Sequence, residues 1–229
     1  MNIPVIIINR DRLSTTEKLC DQLLLLGYSE IHIMDMGSTY EPLLEWYINV
    51  RMWGAGDITI HYLDNQGHKG IWNTGILKDL FGKYPWVAVT DSDIELNMNI
   101  PMHFIDDMVM LAKDFRVDKV GLAIDYTDIP NPFLAAIIQP IESRYWQQQL
   151  NHKSHVVYNA PVDTSFCVVN PNLPFTYNAI RVAGNYTCIH KPWLEQWDNL
   201  TEEQQYYMDH CDANIGTIKQ HYLKWIQNH

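Results

Sequence analysis

The 229-residue chain is 47% hydrophobic and 19% charged with a formal net charge of -11, which is length and apolar content enough for one sizeable core. Its 16 Lys and Arg residues form no run, which excludes broad nucleic-acid binding, since a phosphate backbone demands clustered cations. A small anionic ligand stays open, and on so acidic a protein it calls for a metal. Cys20, Cys167, Cys188 and Cys211 are spaced too widely for a zinc ribbon or a dense disulfide framework. No signal-peptide region or membrane-length apolar window is found, so a cytoplasmic chain with free thiols is expected. Asn185-Tyr-Thr187 and Asn199-Leu-Thr201 fit the glycosylation sequon and are read as chance matches.

Taken in chain order, Ile3 to Ile8 is a continuous β-branched run, the pattern of a strand covered on both faces, and it stops at the polar cluster Asn9-Arg-Asp-Arg12. Ser14-Thr-Thr-Glu17 has the form of a capping box, Leu19, Leu23 and Leu26 follow at helical spacing, and Gly27 is a natural stop. Ile31 to Met34 reads as a second strand, and Pro42 opens a helix that carries Leu43 to Val50. Ile58 to Tyr62 gives a third strand, Gly70 to Leu80 a helix and Trp86 to Thr90 a fourth strand. A helix over Met102 to Phe115 and a strand over Val120 to Ile124 continue the alternation. From Tyr126 to Pro192 only short strands are expected, near Val156 to Tyr158 and Ser165 to Val169, with a helix around Glu142 to Leu150. Glu202 to His210 and Ile215 to Ile226 read as helices. Strand and helix alternating in this way predict an α/β fold with a mostly parallel sheet flanked by helices and a smaller irregular C-terminal part, and ligands in such sheets sit at the carboxyl ends of the strands.

Asp91-Ser-Asp93 follows the fourth strand, and in extended chain residues two apart face the same way, so both carboxylates can reach one divalent cation or one ribose. Hard oxygen ligands suit Mg2+ or Mn2+ bridging a diphosphate; the competing reading is a strand-end turn that caps backbone N–H groups. The first strand is followed by no glycine-rich turn, which excludes a dinucleotide-binding domain, and neither a P-loop nor H-E-x-x-H is present. His152-x-x-His155 reads as a solvated pair.

The ordered set Asn9-Arg-Asp-Arg12, Asp35-Met-Gly-Ser-Thr39, Asn65-Gln-Gly-His-Lys-Gly70 with Asn73-Thr-Gly75, and Asp91-Ser-Asp93 resembles the nucleotide-sugar half of GT-A glycosyltransferases, family-2-like. Ala160-Pro-Val-Asp163-Thr-Ser-Phe166 and Ala183-Gly-Asn-Tyr-Thr187 leading into His190-Lys-Pro-Trp193 are similar to a bacterial branch of that group. The resemblance runs from about residue 3 to residue 210 and implies a single GT-A-type domain over 1–229, with 1–95 as the nucleotide-sugar-binding half and 96–229 as the acceptor and metal-completing half. Met36 stands where many members carry a second carboxylate, and Ile189 stands where some place a basic residue.

What the resemblance implies is a metal site from Asp91, Asp93 and His190, and a donor site from Asn9, Arg10, Asp35, Gly37, Lys69, Asn73, Asp91, Ser92 and Arg181. Arg10, Arg12, Lys69 and Arg181 are the candidate diphosphate neighbours, Lys69 above the others because glycines flank it. Asp163 lies among apolar residues, where desolvation would raise its pKa toward that of a general base, and Asp125 at a strand end is the rival base. Trp193, Trp197, Tyr206 and Tyr207 are either an acceptor platform or core. The expected function is transfer of a sugar from a nucleotide donor, a UDP-sugar first of all, with Mn2+ or Mg2+, to a hydroxyl of a carbohydrate or glycan-lipid acceptor in polysaccharide biosynthesis, with inversion if Asp163 is the base and at most peripheral contact with membrane. The alternatives are a non-catalytic nucleotide-sugar or glycan-binding module and, lower, a sugar-1-phosphate nucleotidyltransferase.

Overall fold

Every residue of β1 (Val5–Asn9) is buried in the computed structural model, which describes residues 3–53, 57–211 and 217–227. A strand without hydrophobic alternation needs cover on both faces. Val5 and Ile7 enter one core with Leu19, Leu23 and Leu43, while Ile6 and Ile8 enter the other with Ile71, Leu77 and Phe81. Each such fully buried side chain contributes about 1.5–3 kcal/mol. The first core seats α1 (Ser14–Leu25), α2 (Glu41–Trp53) and α5 (Phe104–Phe115), and the second seats α3 (Gly70–Asn73) and α4 (Ile76–Phe81).

The sheet has ten strands. On either side of β1 lie β2 (Ile31–Met36) and β4 (Val87–Asp91), both parallel to it, and β3 (Ile58–Leu63) is parallel to β2. Beyond β4 the short β9 (Cys167–Val169) runs antiparallel and joins it to β6 (Lys119–Asp125), which pairs in parallel with β10 (Ile180–His190). The strands of five or more residues therefore all point one way, and Asn9, Met36, Asp91 and His190 end at one edge of the sheet. β5 (Ile94–Leu96) pairs antiparallel with the end of β10, in the register His190↔Ile94, which draws His190 toward the turn after β4. β7 (Gln149–Leu150) and β8 (Val157–Asn159) extend the β10 side.

The alternation expected from sequence is present, with four local differences. The capping box at Ser14 does not form: the N-terminal N–H groups of Leu13 and Ser14 donate instead to Glu203 in α7 (Glu202–His210), the Ser14 bond at 3.0 Å. The helix expected over 70–80 is two, because Gly75 takes the left-handed conformation (φ 81°), which L side chains adopt only at a cost. The helix expected around 142–150 lies earlier, as α6 (Pro132–Glu142), started by an Asn131 side-chain cap and Pro132 in the first turn; a 3-10 turn over 143–146 and β7 occupy the expected span. β10 is a strand of 11 residues where none was expected, and its ladder to β6 slips between Val182 and Thr187 around Gly184 (φ 74°). Of the helix expected over 215–226, α8 (Thr217–Ile226) is present and 215–216 lie outside the described residues. No helix among the described residues is long and apolar enough to cross a membrane.

Candidate functional site

A cleft of about 250 Å³ opens at the edge where the parallel strands end. The β1–α1 loop supplies Asn9, Arg10 and Arg12 to its wall, the loop after β3 supplies Asn65, Gly67 and His68, and the β4–β5 turn supplies Asp91, Ser92 and Asp93. Asp163 and Thr164 precede β9, His190 ends β10, and Tyr207 and Cys211 come from α7 and its end. The topology explains the convergence: strands that point the same way deliver their following loops to one side.

Asp91, Asp93 and His190 all line the floor, and Asp93 and His190 are in contact. Asp93 Oδ1 lies 3.5 Å from His190 Nε2, and the two side chains are 17% and 24% exposed. Oδ1 of Asp93 and Nδ1 of His190 are buried and have no hydrogen-bond partner among the described residues. The His190 ring rests against Trp193, with centroids 5.0 Å apart. Asp91 is braced at both ends, its N–H donating to Thr164 O at 3.0 Å and its Oδ2 accepting from Thr164 Oγ1 at 2.9 Å. Burial, and after it the neighbouring Asp93 carboxylate, push the Asp91 carboxyl up to about 8. A carboxylate and an imidazole with unanswered atoms, beside a second carboxylate, favour a cation near them. Among the described residues no three His, Cys, Asp or Glu side chains lie close enough together to hold a metal ion by themselves. The donor set thus fits Mg2+ or Mn2+, which take one or two protein ligands together with water and substrate phosphate oxygens, and it does not fit a structural zinc cage.

The inner wall is built on Arg12. Its Nη1 pairs with Glu195 Oε1 at 2.8 Å, and its guanidinium lies 3.7 Å from the centroid of the Tyr207 ring. Arg12 Nε and Nη2 and Glu195 Oε2 are buried and unanswered among the described residues. Burial raises the Glu195 carboxyl against the opposing pull of Arg12. Glu195 carries no motif of its own; its partner lies 183 positions away, so sequence reading had no signal for it.

Asp163 stands at the outer lip, and its carboxylate is not buried as the apolar sequence around it suggests. Its side chain is 53% exposed and faces His68 Nε2 at 3.7 Å; the apolar neighbours Val162 and Phe166 are buried while the carboxylate turns outward. Its backbone is anchored from below. Lys119 Nζ, buried and held below the usual ammonium range by desolvation, donates to Val162 O, Asp163 O and Thr176 O at 2.9, 2.7 and 3.1 Å. Gly121 makes room for this loop, because a Cβ there would lie 2.6 Å from Val162 Cγ1.

Asp35 lies beneath the cleft and not on its surface. It accepts from Tyr47 Oη at 3.1 Å and Ser38 N at 3.2 Å, and Tyr47 Oη accepts from Asn9 Nδ2 at 2.8 Å. Desolvation raises its carboxyl despite these bonds. Asp35 therefore fixes Asn9 through Tyr47 and caps the turn at Ser38. Asp11, which sequence reading did not single out, locks that turn to the β1–α1 loop: its Oδ1 accepts from Tyr40 N at 2.9 Å and its N–H donates to Ser38 Oγ at the same distance.

Several expected site residues are not among those lining the cleft. Asp125, the rival base, ends β6 with an exposed carboxylate that accepts from Thr127 N at 3.0 Å and Thr127 Oγ1 at 2.7 Å, a local turn. Arg181 is buried in β10, paired with Glu142 at 2.8 Å and donating to Pro161 O at 2.8 Å, with Tyr145 against its guanidinium; its charge is spent on packing. Lys69 bonds Tyr177 Oη and lies 4.8 Å from the Phe175 ring, and Asn73 and Gly37 sit outside the wall. Of the aromatic residues, Trp197 is core at 3% exposure, Tyr206 packs on Tyr40, and only Tyr207 faces the cleft.

No family model matches the sequence, and no curated protein matches it as a relative. Among solved structures, the chain is similar to the mannosyltransferase PcManGT from Pyrobaculum calidifontis in complex with GDP-Man and Mn2+, with a TM-score of 0.52 and 15% identity over 99% of this chain and 64% of that one. It is also similar to GalNAc-T7 with UDP, GalNAc and Mn2+ (TM-score 0.47, 12% identity, 98% of this chain and 55% of that one) and to a putative glucose-1-phosphate thymidylyltransferase from Bacillus anthracis (TM-score 0.38, 12% identity, 97% and 83%). The chain spans less than two thirds of the length of the first two. At these identities the likeness shows architecture alone, and the architecture is the GT-A-type α/β fold, a mostly parallel central sheet flanked by helices.

Proposed function

We propose that the chain is a metal-dependent glycosyltransferase that moves a sugar from a nucleoside-diphosphate donor to a hydroxyl of a carbohydrate or glycan-lipid acceptor. One observation carries this reading: Asp93 and His190 are in contact where the parallel strands end, with Asp91 lining the same cleft and with Asp93 Oδ1 and His190 Nδ1 buried and unanswered. Adjacent oxygen and nitrogen ligands of one such cation lie about 3 Å apart, close to the 3.5 Å between Asp93 Oδ1 and His190 Nε2. The solved mannosyltransferase of this fold holds GDP-Man and Mn2+, which supports a nucleotide-sugar donor and a divalent metal here.

In this reading Asp93 and His190 hold Mn2+ or Mg2+, with Asp91 beside them on the metal or on the ribose. The metal supplies a Lewis acid that stabilises charge on the departing diphosphate. Asn9, fixed by Tyr47 and Asp35, borders the nucleoside; Arg10 gives positive potential beside the phosphates, and Arg12, its charge answered by Glu195, keeps Nε and Nη2 as unpartnered donors. The acceptor enters at the lip, where Asp163 stands on the deprotonating side; attack from there, opposite the departing diphosphate, inverts the anomeric centre. A UDP-sugar is the first donor to try and a GDP-sugar the second.

The test is calorimetric titration of UDP and GDP, with and without Mn2+, on the native chain and on Asp93→Ala. Binding that requires Mn2+ and disappears in the variant is the expected result. Tight binding that ignores the metal would transfer the phosphate contacts to Arg10 and Arg12, and no binding of either nucleotide would leave a glycan-binding module.

A further inference from the structure

The outer lip holds a second histidine–carboxylate pair. His68, from the loop between β3 and α3, places Nε2 3.7 Å from Asp163 Oδ1, and both residues line the cleft that contains Asp91 and Asp93. That ring nitrogen is buried and has no hydrogen-bond partner among the described residues, so Asp163 is the acceptor available to it. The Asp163 and His68 side chains are 53% and 39% exposed. An imidazole changes charge in the neutral range and works best as a base when a carboxylate orients its far nitrogen.

We propose that His68 is the general base of the transfer and that Asp163 orients it and stabilises its protonated form. The inference rests on the transferase reading and refines the part that Asp163 plays in it. With Nε2–H directed at Asp163, Nδ1 is the nitrogen left to accept a proton. The acceptor oxygen bonds to the anomeric carbon while the bond from that carbon to the diphosphate oxygen breaks, and the bonding electrons leave with the diphosphate. The acceptor hydroxyl's proton passes to His68 Nδ1, and the imidazolium later releases it to water. Placement supports this division. Thr164, the residue after Asp163, donates to Asp91 Oδ2 at 2.9 Å, so the lip pair adjoins the carboxylate floor without sharing its atoms. The 3.7 Å separation is that of an ion pair, and such contacts tighten when substrate fills a site. Asp163 also acts electrostatically on Lys69, Lys119, Asp91 and the buried Cys167 thiol. Lys69 is engaged by Tyr177 and Lys119 by three backbone carbonyls, while Asp91 lies across the cleft floor.

The experiment measures nucleotide release from UDP- and GDP-sugars with Mn2+ and water as acceptor, over roughly pH 5 to 9, for the native chain, His68→Gln, His68→Ala and Asp163→Asn. UDP and GDP affinities are measured beside it. His68→Gln is expected to keep nucleotide affinity while turnover falls about 10²- to 10⁴-fold and the decline of rate toward acid pH disappears. Free imidazole is expected to restore part of the rate of His68→Ala, and Asp163→Asn to stay slow yet keep the acid decline. A His68→Gln variant with native turnover and an intact acid decline overturns His68 as the base and leaves the transferase reading standing. A native chain that binds neither nucleotide, or binds and releases none from any donor, overturns that reading and the base with it.

Discussion

The two ends of the cleft solve opposite problems with the same side-chain types. At the inner end Arg12, Glu195, Asp93 and His190 are mostly buried, cross-braced by Tyr207 and Trp193, and left with unanswered polar atoms. At the outer end His68 and Asp163 form a similar His–Asp contact at 3.7 Å, but in the open and on loops. Burial makes charge expensive and therefore able to grip a counter-charge; exposure makes proton exchange with solvent easy. In the proposed reading, a single cleft would hold a charged leaving group at one end and pass a proton at the other because the environments differ, not the residues.

The largest effect that would break the inner end is Arg12→Met. It strands Glu195, whose carboxylate is 4% exposed, and should cost about 3–5 kcal/mol in urea unfolding, most of it recovered in Arg12→Met with Glu195→Leu. Next is Asp93→Ala, expected to slow Mn2+-dependent nucleotide release roughly 10²- to 10³-fold. Its thermal midpoint should not fall, since Asp91 is relieved of a like charge. Glu203→Ala uncaps α1 beneath the inner end and should cost about 1 kcal/mol, measured as a lower urea midpoint with turnover kept. Asp125→Asn, outside both ends, should change stability by less than about 0.5 kcal/mol and turnover by less than about twofold; a large loss of turnover would return Asp125 to the chemistry.

The first half of the fold was readable because β1 is a β-branched run, β2 to β4 are short stretches rich in Ile and Val, and α1 has Leu at helical spacing, all local signals. The second half hides its elements. Asn131 with Pro132 is a helix start that was legible and passed over among the prolines, and β10 carries Gly184 and a slipped register where a strand reader expects continuity. At the site, Asp91, Asp93 and His190 were named from the resemblance, and all three line the cleft. Arg181 and Lys69 were named as cations, but a cation's partner is decided by tertiary contact, and theirs are Glu142 and Tyr177. Asp163 was placed correctly at the cleft and its environment wrongly, because apolar neighbours in sequence bury their own side chains and need not bury the one between them.

The bond from Ser14 to Glu203 spans 189 positions. On a ribosome adding about 5–20 residues per second, α1 would be made roughly 10 to 40 s before the side chain that caps it. Through that interval its first turn is a loose end beside a loop that ends up holding Arg12, itself waiting on Glu195 and Tyr207. The inner wall of the cleft is thus completed last although its first residues are made first, and a chain cut short before α7 would keep Glu195 for Arg12 but lack both Tyr207 and the Glu203 cap on α1.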